Sequence, residues 1–257
     1  MNSSPTGSAA FTTATVRADG FDVSYAEAGS GPNLVMIHGG DGLNVQDDVY
    51  GLLAKNFRVI ALEMPGWGSV PNTRTKTLKE MGGTIAAAIA ALGLDPVVLV
   101  GTSIGAPVAL WAALGWGAPA SHLVLESPAA FRAGGPERSG PPGPSVFNFQ
   151  PSRQRERHLE PRVMQFMMSI GPHGVNDPEL AEALAGSDIP VLTVFGEHEQ
   201  MFPPAIFAQH YEKAPRSKVV VVDAAAHDMK GDRPEVFASL VRTFVDGGLD
   251  AVPDRVA

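Results

Sequence analysis

No cysteine occurs among the 257 residues of the chain. Disulfides, thiolate metal sites and a cysteine nucleophile are therefore excluded. Basic residues are the minority, 19 Lys and Arg against 27 Asp and Glu, for a formal net charge of −8. That balance argues against a nucleic-acid backbone as partner. No apolar run reaches the length of a membrane span. The first dozen residues are rich in Ser, Thr and Ala and lack both the basic and the apolar segments of a secretory signal. Residues 1–11 are expected to form a disordered tail. These absences point to a soluble, cytoplasmic protein whose partner is a small-molecule substrate, with no nucleic acid and no membrane; a homodimer is compatible with them.

What is present suits a single large α/β domain over 1–257. Residues 12–17 and 21–28 alternate in and out, as a hairpin turning at Gly20 would. Later runs at 33–37, 57–62, 97–100, 122–125, 190–195 and 218–222 are continuous and rich in Val, Ile and Leu. Strands buried on both faces of a parallel sheet read this way. Helical stretches are expected at 46–55, 77–93, 106–115, 203–213 and 234–246. The alternation predicts a mostly parallel eight-stranded sheet flanked by helices, with ligands at the carboxyl ends of the strands. Residues 132–188 break the alternation with Pro/Gly-rich, charged and Met-rich pieces, and are expected to be a lid or cap insertion.

Gly101-Thr102-Ser103-Ile104-Gly105 directly follows the apolar run Val97–Val100 and precedes the small-residue stretch Ala106–Leu114. A G-x-S-x-G between a buried strand and a helix is the pattern of a nucleophile elbow. The serine needs a sharp turn, and glycines at its flanks avoid collision. A nucleophilic serine needs a base, and the base an orienting acid. His227 follows the last long apolar run on the loop Ala224-Ala225-Ala226, from which an imidazole can reach back over the sheet edge. Two carboxylates compete for the acid: Glu199, on the loop after 190–195, and Glu126, at the end of 122–125, with Glu197 a third nearby. His38-Gly39-Gly40-Asp41 follows the strand at 33–37, so the N–H groups of Gly40 and Ile104 are the expected oxyanion donors. His38 reads as a residue that fixes this loop. His198 between Glu197 and Glu199 lacks the spacing of a metal site, the glycines at 101–105 make no phosphate loop, and no cofactor is required.

These residues resemble the α/β-hydrolase superfamily of serine hydrolases, in the branch of meta-cleavage-product hydrolases and small carboxylesterases. The resemblance runs from about residue 20 to 246. It rests on His38-Gly39-Gly40, on Glu63-Met64-Pro65-Gly66-Trp67-Gly68-Ser69 (similar to D-x-P-G-x-G-x-S), on the elbow, and on Gly196 through Pro203 (similar to G-x-x-D-x-x-x-P). Ala226-His227 with Asp232-Arg233-Pro234-Glu235-Val236-Phe237 resembles the G-H…P-E-x-F ending. The resemblance implies a Ser103–His227–Glu199 triad acting on an ester or lactone of a small organic acid. Carbon–carbon bond hydrolysis, or binding with little turnover, is the alternative. Glu stands for Asp at 63 and 199. Some lactone-hydrolysing relatives carry the acid after the sixth core strand, where Glu126 stands.

The insertion is expected to select the substrate. Arg153, Arg155, Arg157, His158 and Arg162 form a basic cluster that could fork onto a carboxylate. It fits equally a solvated helix face shared with Glu156 and Glu160. Met164, Phe166, Met167 and Met168 suit an adaptable pocket or simply the docking of the insertion. Asp41 and Trp67 lie on strand-end loops within reach of a ligand, whereas Trp111 and Trp116 read as packing residues.

Overall fold

The structure, a computed structural model, describes residues 10–131, 143–154, 160–174 and 176–257. The chain opens with the hairpin β1 (Thr12–Ala18) and β2 (Phe21–Ala28), continues through β3 (Asn33–Ile37) to α1 (Asp48–Leu53), and then runs through β4 (Arg58–Leu62), α2 (Leu78–Ala91) and β5 (Val97–Thr102). After β5 come α3 (Gly105–Leu110), a wider π turn at Trp111–Gly115, and β6 (Ala120–Glu126). The insertion contributes α4 (Pro144–Phe147), α5 (Pro161–Gly174) and α6 (Pro178–Ala185). β7 (Val191–Gly196), α7 (Pro204–Tyr211), β8 (Ser217–Val222), α8 (Met229–Asp232), α9 (Pro234–Gly247) and β9 (Arg255–Val256) complete it.

Among the described residues the sheet has nine strands in the order β1-β2-β4-β3-β5-β6-β7-β8-β9. β2 runs antiparallel to both its neighbours, and every other pairing is parallel. Eight strands were expected from the sequence. The ninth is the two-residue β9, too short to show a period, which pairs with the end of β8.

The continuous apolar runs are split residue by residue between two layers, because successive side chains in a strand face opposite ways. Val35, Ile37, Val97, Leu99, Leu123 and Leu125 pack on the side of α2 and α3. Leu34, Met36, Val98, Val100, Val124 and Val220 pack on the side of α1 and α9, against Phe237, Val241 and Phe244. With both faces covered, the chemistry is confined to the strand ends. α2 starts on a capping box: the Thr77 hydroxyl accepts from the Glu80 N–H at 3.1 Å, while the Glu80 carboxylate accepts from the Thr77 N–H.

The expected helix at 106–115 is divided, with the α form ending at Leu110. Gly82 and Gly115 both lie so close to Trp111 that an added Cβ would fall within 2.6 Å of it. The described part of 132–188 includes two helices of eight residues or more. Asp177 caps the shorter one by accepting from the Leu180 N–H at 3.3 Å. Of the expected tail, residues 1–9 lie outside the described residues; Phe11 packs edge-on against Tyr50 with ring centroids 6.2 Å apart. Among the described residues, no helix is long and apolar enough to cross a membrane.

Candidate active site

β5 lies at the centre of the sheet and ends directly at Ser103, which takes a left-handed φ of +49°. The flanking glycines are needed for space rather than for φ. A Cβ on Gly101 would stand 2.6 Å from Ala106 Cα, and one on Gly105 would stand 2.4 Å from the His38 carbonyl. The turn is held on both sides of the serine. Its N–H donates to the Glu126 carbonyl at 2.9 Å, and its carbonyl accepts from Ala106 at 3.1 Å and Ala129 at 3.0 Å.

The loop after β3 lies against this turn, since a Cβ on Gly39 would be 3.3 Å from Ser103 Cβ. His38 organises the loop. Its Nε2 accepts from the Met64 N–H at 3.0 Å, so Nδ1 carries the proton and donates to the Gly39 carbonyl at 2.7 Å. Burial lowers the His38 pKa to about 4, against the opposing pull of the Gly39 bond. The ring is thus neutral and structural at ordinary pH. The Gly39 carbonyl faces His38, and a trans peptide places the following N–H on the opposite side. The Gly40 N–H is therefore turned away from His38. Trp67 Nε1 donates to the Gly40 carbonyl at 2.8 Å and fixes the next peptide.

His227 arrives from the loop after β8. Its Nδ1 lies 2.6 Å from Glu199 Oε2 and its Nε2 2.9 Å from Ser103 Oγ. An ionised carboxylate only accepts, so Nδ1–H donates to Glu199 and Nε2 is left to accept from the hydroxyl. The other Glu199 oxygen accepts from the N–H groups of Met201 at 2.6 Å and Phe202 at 3.1 Å. Burial alone would raise the Glu199 pKa. The charge and hydrogen bond of His227, with the two N–H groups, outweigh it and hold the carboxyl below its ordinary value. Burial likewise opposes charging of His227, but Glu199, with Glu126 and Asp228 behind it, lifts the imidazole above its ordinary value. β7 and the loop that carries His227 are in backbone contact: a Cβ on Gly196 would lie 2.4 Å from the carbonyls of both Ala225 and Ala226.

The sequence model of the alpha/beta hydrolase family matches residues 34–240. The chain belongs to this family. It is 28% identical, over 83% of its own length and 93% of the relative's, to the pimeloyl-[acyl-carrier protein] methyl ester esterase of Neisseria meningitidis serogroup B. Among solved structures it resembles an esterase from Thermogutta terrifontis, with a TM-score of 0.74 and 21% identity over 93% of this chain and 98% of that one. The meta-cleavage product hydrolase from Pseudomonas fluorescens IP01 matches with a TM-score of 0.72 and 20% identity, over 90% and 97% of the two chains.

The remaining expected site residues of this α/β hydrolase divide sharply. Glu126 is buried at the end of β6 and does not hydrogen-bond His227; its oxygens face Lys230, one accepting that residue's N–H at 3.3 Å. Glu197 pairs with Arg255 at 2.6 Å, and His198 stacks on Phe149 with centroids 4.3 Å apart. Arg153, expected at a substrate carboxylate, instead holds Asp48 at 2.8 Å on the outer surface. Arg162 bonds the Gly68 carbonyl and pairs with Glu160 at 2.8 Å. Met168 is 74% exposed and Met164 45%, so these two α5 methionines face solvent instead of lining a pocket. Trp67 is buried, with its edge on His38 and Phe166, and Asp41 is exposed at the tip of its loop. Arg155, Arg157 and His158 lie outside the described residues.

Two aromatic neighbours went unnoticed in the sequence. The rings of Phe147 and Phe202 each lie 5.9 Å from the His227 imidazole. Phe202 was legible in principle, three residues beyond Glu199 on the same loop. Phe147 was not, because it comes from the insertion, eighty positions upstream.

Proposed function

We propose that the chain hydrolyses an ester or lactone of a small organic acid, with Ser103 as nucleophile, His227 as general base and Glu199 as orienting acid. The observation that carries this reading is the unbroken hydrogen-bond path from Ser103 Oγ through both imidazole nitrogens to a buried carboxylate. Ser103 Oγ attacks the carbonyl carbon as its proton passes to Nε2. The tetrahedral oxyanion takes hydrogen bonds from the N–H groups of Gly40 and Ile104, the latter at the start of α3. Collapse breaks the bond to the leaving oxygen, which takes the proton from Nε2. Water then adds to the acyl-enzyme by the same steps in reverse order, releasing the acid and restoring Ser103. Glu199 holds the imidazole in the tautomer this needs and stabilises its transient charge.

Support comes from the ester-cleaving relative in Neisseria meningitidis, similar along nearly its whole length. The carbon–carbon alternative calls for an insertion arginine turned toward the substrate. Among the described residues of the insertion, Arg153 and Arg162 pair with Asp48 and Glu160. The insertion serves as the lid: α5 reaches the core through Phe166, whose ring lies 5.6 Å from Trp67.

The test is fluorophosphonate labelling mapped to the modified residue, followed by panels of short esters, lactones and a dienoate diketone acid, with Ser103→Ala as control. A stoichiometric adduct on Ser103 together with ester or lactone turnover is expected. A dienoate cleaved faster than any ester would move the assignment to carbon–carbon hydrolysis. A folded protein with no adduct and no turnover would leave only a binding role.

A further inference from the structure

Asp232, the last residue of α8, is buried and takes no part in the steps above. Its carboxylate gathers N–H groups from two distant segments. Oδ2 accepts from Ala226, the neighbour of His227, at 3.0 Å and from Phe149 of the insertion at 2.8 Å. Oδ1 accepts from the Gln150 N–H at 3.0 Å, with the Asn148 side-chain amide at 3.5 Å. The junction continues in the backbone, where the His227 N–H donates to the Val146 carbonyl at 3.3 Å and the Asp228 N–H to the Phe147 carbonyl at 2.7 Å. The base loop itself is Ala224-Ala225-Ala226, with Ala224 at a left-handed φ of +54°. Ala225 and Ala226 are buried against β7, and hydrogen bonds to the loop's backbone add to that packing in setting its path.

We infer that Asp232 is a positioning residue for His227, clamping the base loop to residues 146–150 so that the imidazole and the near end of the insertion move as one piece. The inference rests on the proposed role of His227. A carboxylate is required by geometry. Both oxygens face N–H donors, and charge-assisted bonds to backbone N–H are strong. An asparagine here, whichever way its amide is turned, sets an NH2 group against at least one N–H. The consequence is mechanical: a substrate that shifts 146–150 on entering beneath the insertion also shifts the base.

The experiment compares four variants of the full chain. Asp232→Asn disrupts the clamp and Asp232→Glu keeps two acceptors. Gln150→Pro deletes one donated N–H without touching residue 232, at a backbone φ of −69° that suits proline. Gln150→Ala keeps that N–H and, like Gln150→Pro, gives up the side-chain amide contact with the Ala224 carbonyl at 3.5 Å, so the pair isolates the N–H. Misplacing a catalytic group by about 1 Å costs on the order of a hundredfold in rate. Asp232→Asn and Gln150→Pro are therefore expected to lower kcat by about tenfold to a hundredfold, with KM changed less than about threefold. Gln150→Ala should stay within about twofold of the parent, and Asp232→Glu should recover part of the loss. Fluorophosphonate labelling of Ser103 should slow by a similar factor while remaining stoichiometric, which a fraction of unfolded protein would not permit. The downfield proton of His227 Nδ1–H, read by NMR independently of turnover, should shift in the two clamp-breaking variants alone.

Unchanged kcat and an unmoved Nδ1–H resonance in folded Asp232→Asn or Gln150→Pro would overturn the inference. So would a loss of activity that tracks a loss of labelling stoichiometry, the mark of a merely structural role. Failure of the functional reading looks different: the parent protein itself gives neither adduct nor ester turnover, and the resonance alone then decides the role of Asp232.

Discussion

The ends of β6 and β7 are adjacent strand ends, and each delivers a buried glutamate toward His227, yet the two carboxylates stand in opposite electrostatic states. Glu199, beyond β7, is met by the imidazole and by two backbone N–H groups of its own loop, and is held below its ordinary pKa. Glu126, at the end of β6, is raised by burial and by the like charge of Asp228, against the opposing pull of Lys230 and the N–H it contributes. Lys230 stands 2.5 Å from Asp228 and 3.9 Å from Glu126. The difference lies first in the His227 imidazole, which bonds Glu199 and not Glu126, and then in the loops. Residues 199–202 turn back so that their N–H groups converge on the carboxylate. The chain after Glu126 instead spends its next N–H groups on carbonyls, Ser127 on Val194 and Ala129 on Ser103. A carboxyl at a strand end is held below its ordinary pKa where an imidazole and loop N–H groups bond its charged form.

The sharpest way to break this comparison is to neutralise each glutamate in turn. Glu199→Gln should lower kcat by about 10³- to 10⁴-fold, because an amide no longer holds the imidazole in the required tautomer or stabilises its charge. The rising limb of the pH–rate profile reports the base losing its proton. It should lie above 6.5 in the parent, where Glu199, Glu126 and Asp228 face His227, and move down in Glu199→Gln. Next in size is Lys230→Met, which leaves Glu126 and Asp228 buried without their cation. A loss of about 3–5 kcal/mol in chemical denaturation is expected, the usual cost of removing one partner from a buried pair. Glu126→Gln should be mild, with kcat within about tenfold of the parent and stability within about 1 kcal/mol, since an amide suits a poorly solvated site. A loss in Glu126→Gln equal to that in Glu199→Gln would mean that the two carboxylates share the role.

The contrast also explains what could be read from the sequence. The turn at Ser103 was legible because its apolar strand, its two glycines and the serine between them are consecutive in the chain, although the contacts that require Gly105 and hold Ser103 come from His38, Glu126 and Ala129. The parallel sheet was legible because Val- and Leu-rich runs are required wherever both faces are covered. Glu199 was chosen over Glu126 by its resemblance to a known spacing. What separates the two physically is the hydrogen bond of Glu199 to His227, together with the direction of the N–H groups of Met201 and Phe202, which no residue count reveals. Lys230 and Asp232 stayed hidden for the same reason. Each is an ordinary charged residue in sequence, and each meets a partner far away in the chain, Glu126 for Lys230 (beside the nearby Asp228) and residues 149–150 for Asp232. Arg153 misled because its charge suited a substrate while Asp48, more than a hundred positions upstream, had already engaged it.

The smallest expected effect sharpens the comparison most, because it asks each glutamate for a sign. A carboxyl held below its ordinary value of 4.5 in the folded protein, as Glu199 is, stabilises the fold fully above pH 4.5 and loses that contribution as pH falls through its lower, folded value. Glu126, raised above 4.5, behaves in reverse: its ionised form burdens the fold at neutral pH, and protonation on the way down relieves it. The stability of Glu199→Gln relative to the parent should therefore be poorest near neutrality and recover below pH 4.5. That of Glu126→Gln should be most favourable near neutrality and decline as pH approaches 4.5 from above. Thermal unfolding of the three proteins between pH 3.5 and 7.5 reads both slopes, with each unit of pKa displacement worth about 1.4 kcal/mol. Slopes of the same sign would show that His227 and the loop donors at 201 and 202 do not set Glu199 apart. Opposite slopes would establish that two like side chains on adjacent strand ends are divided by their partners, the His227 imidazole with two loop N–H groups for one and Asp228 with Lys230 for the other.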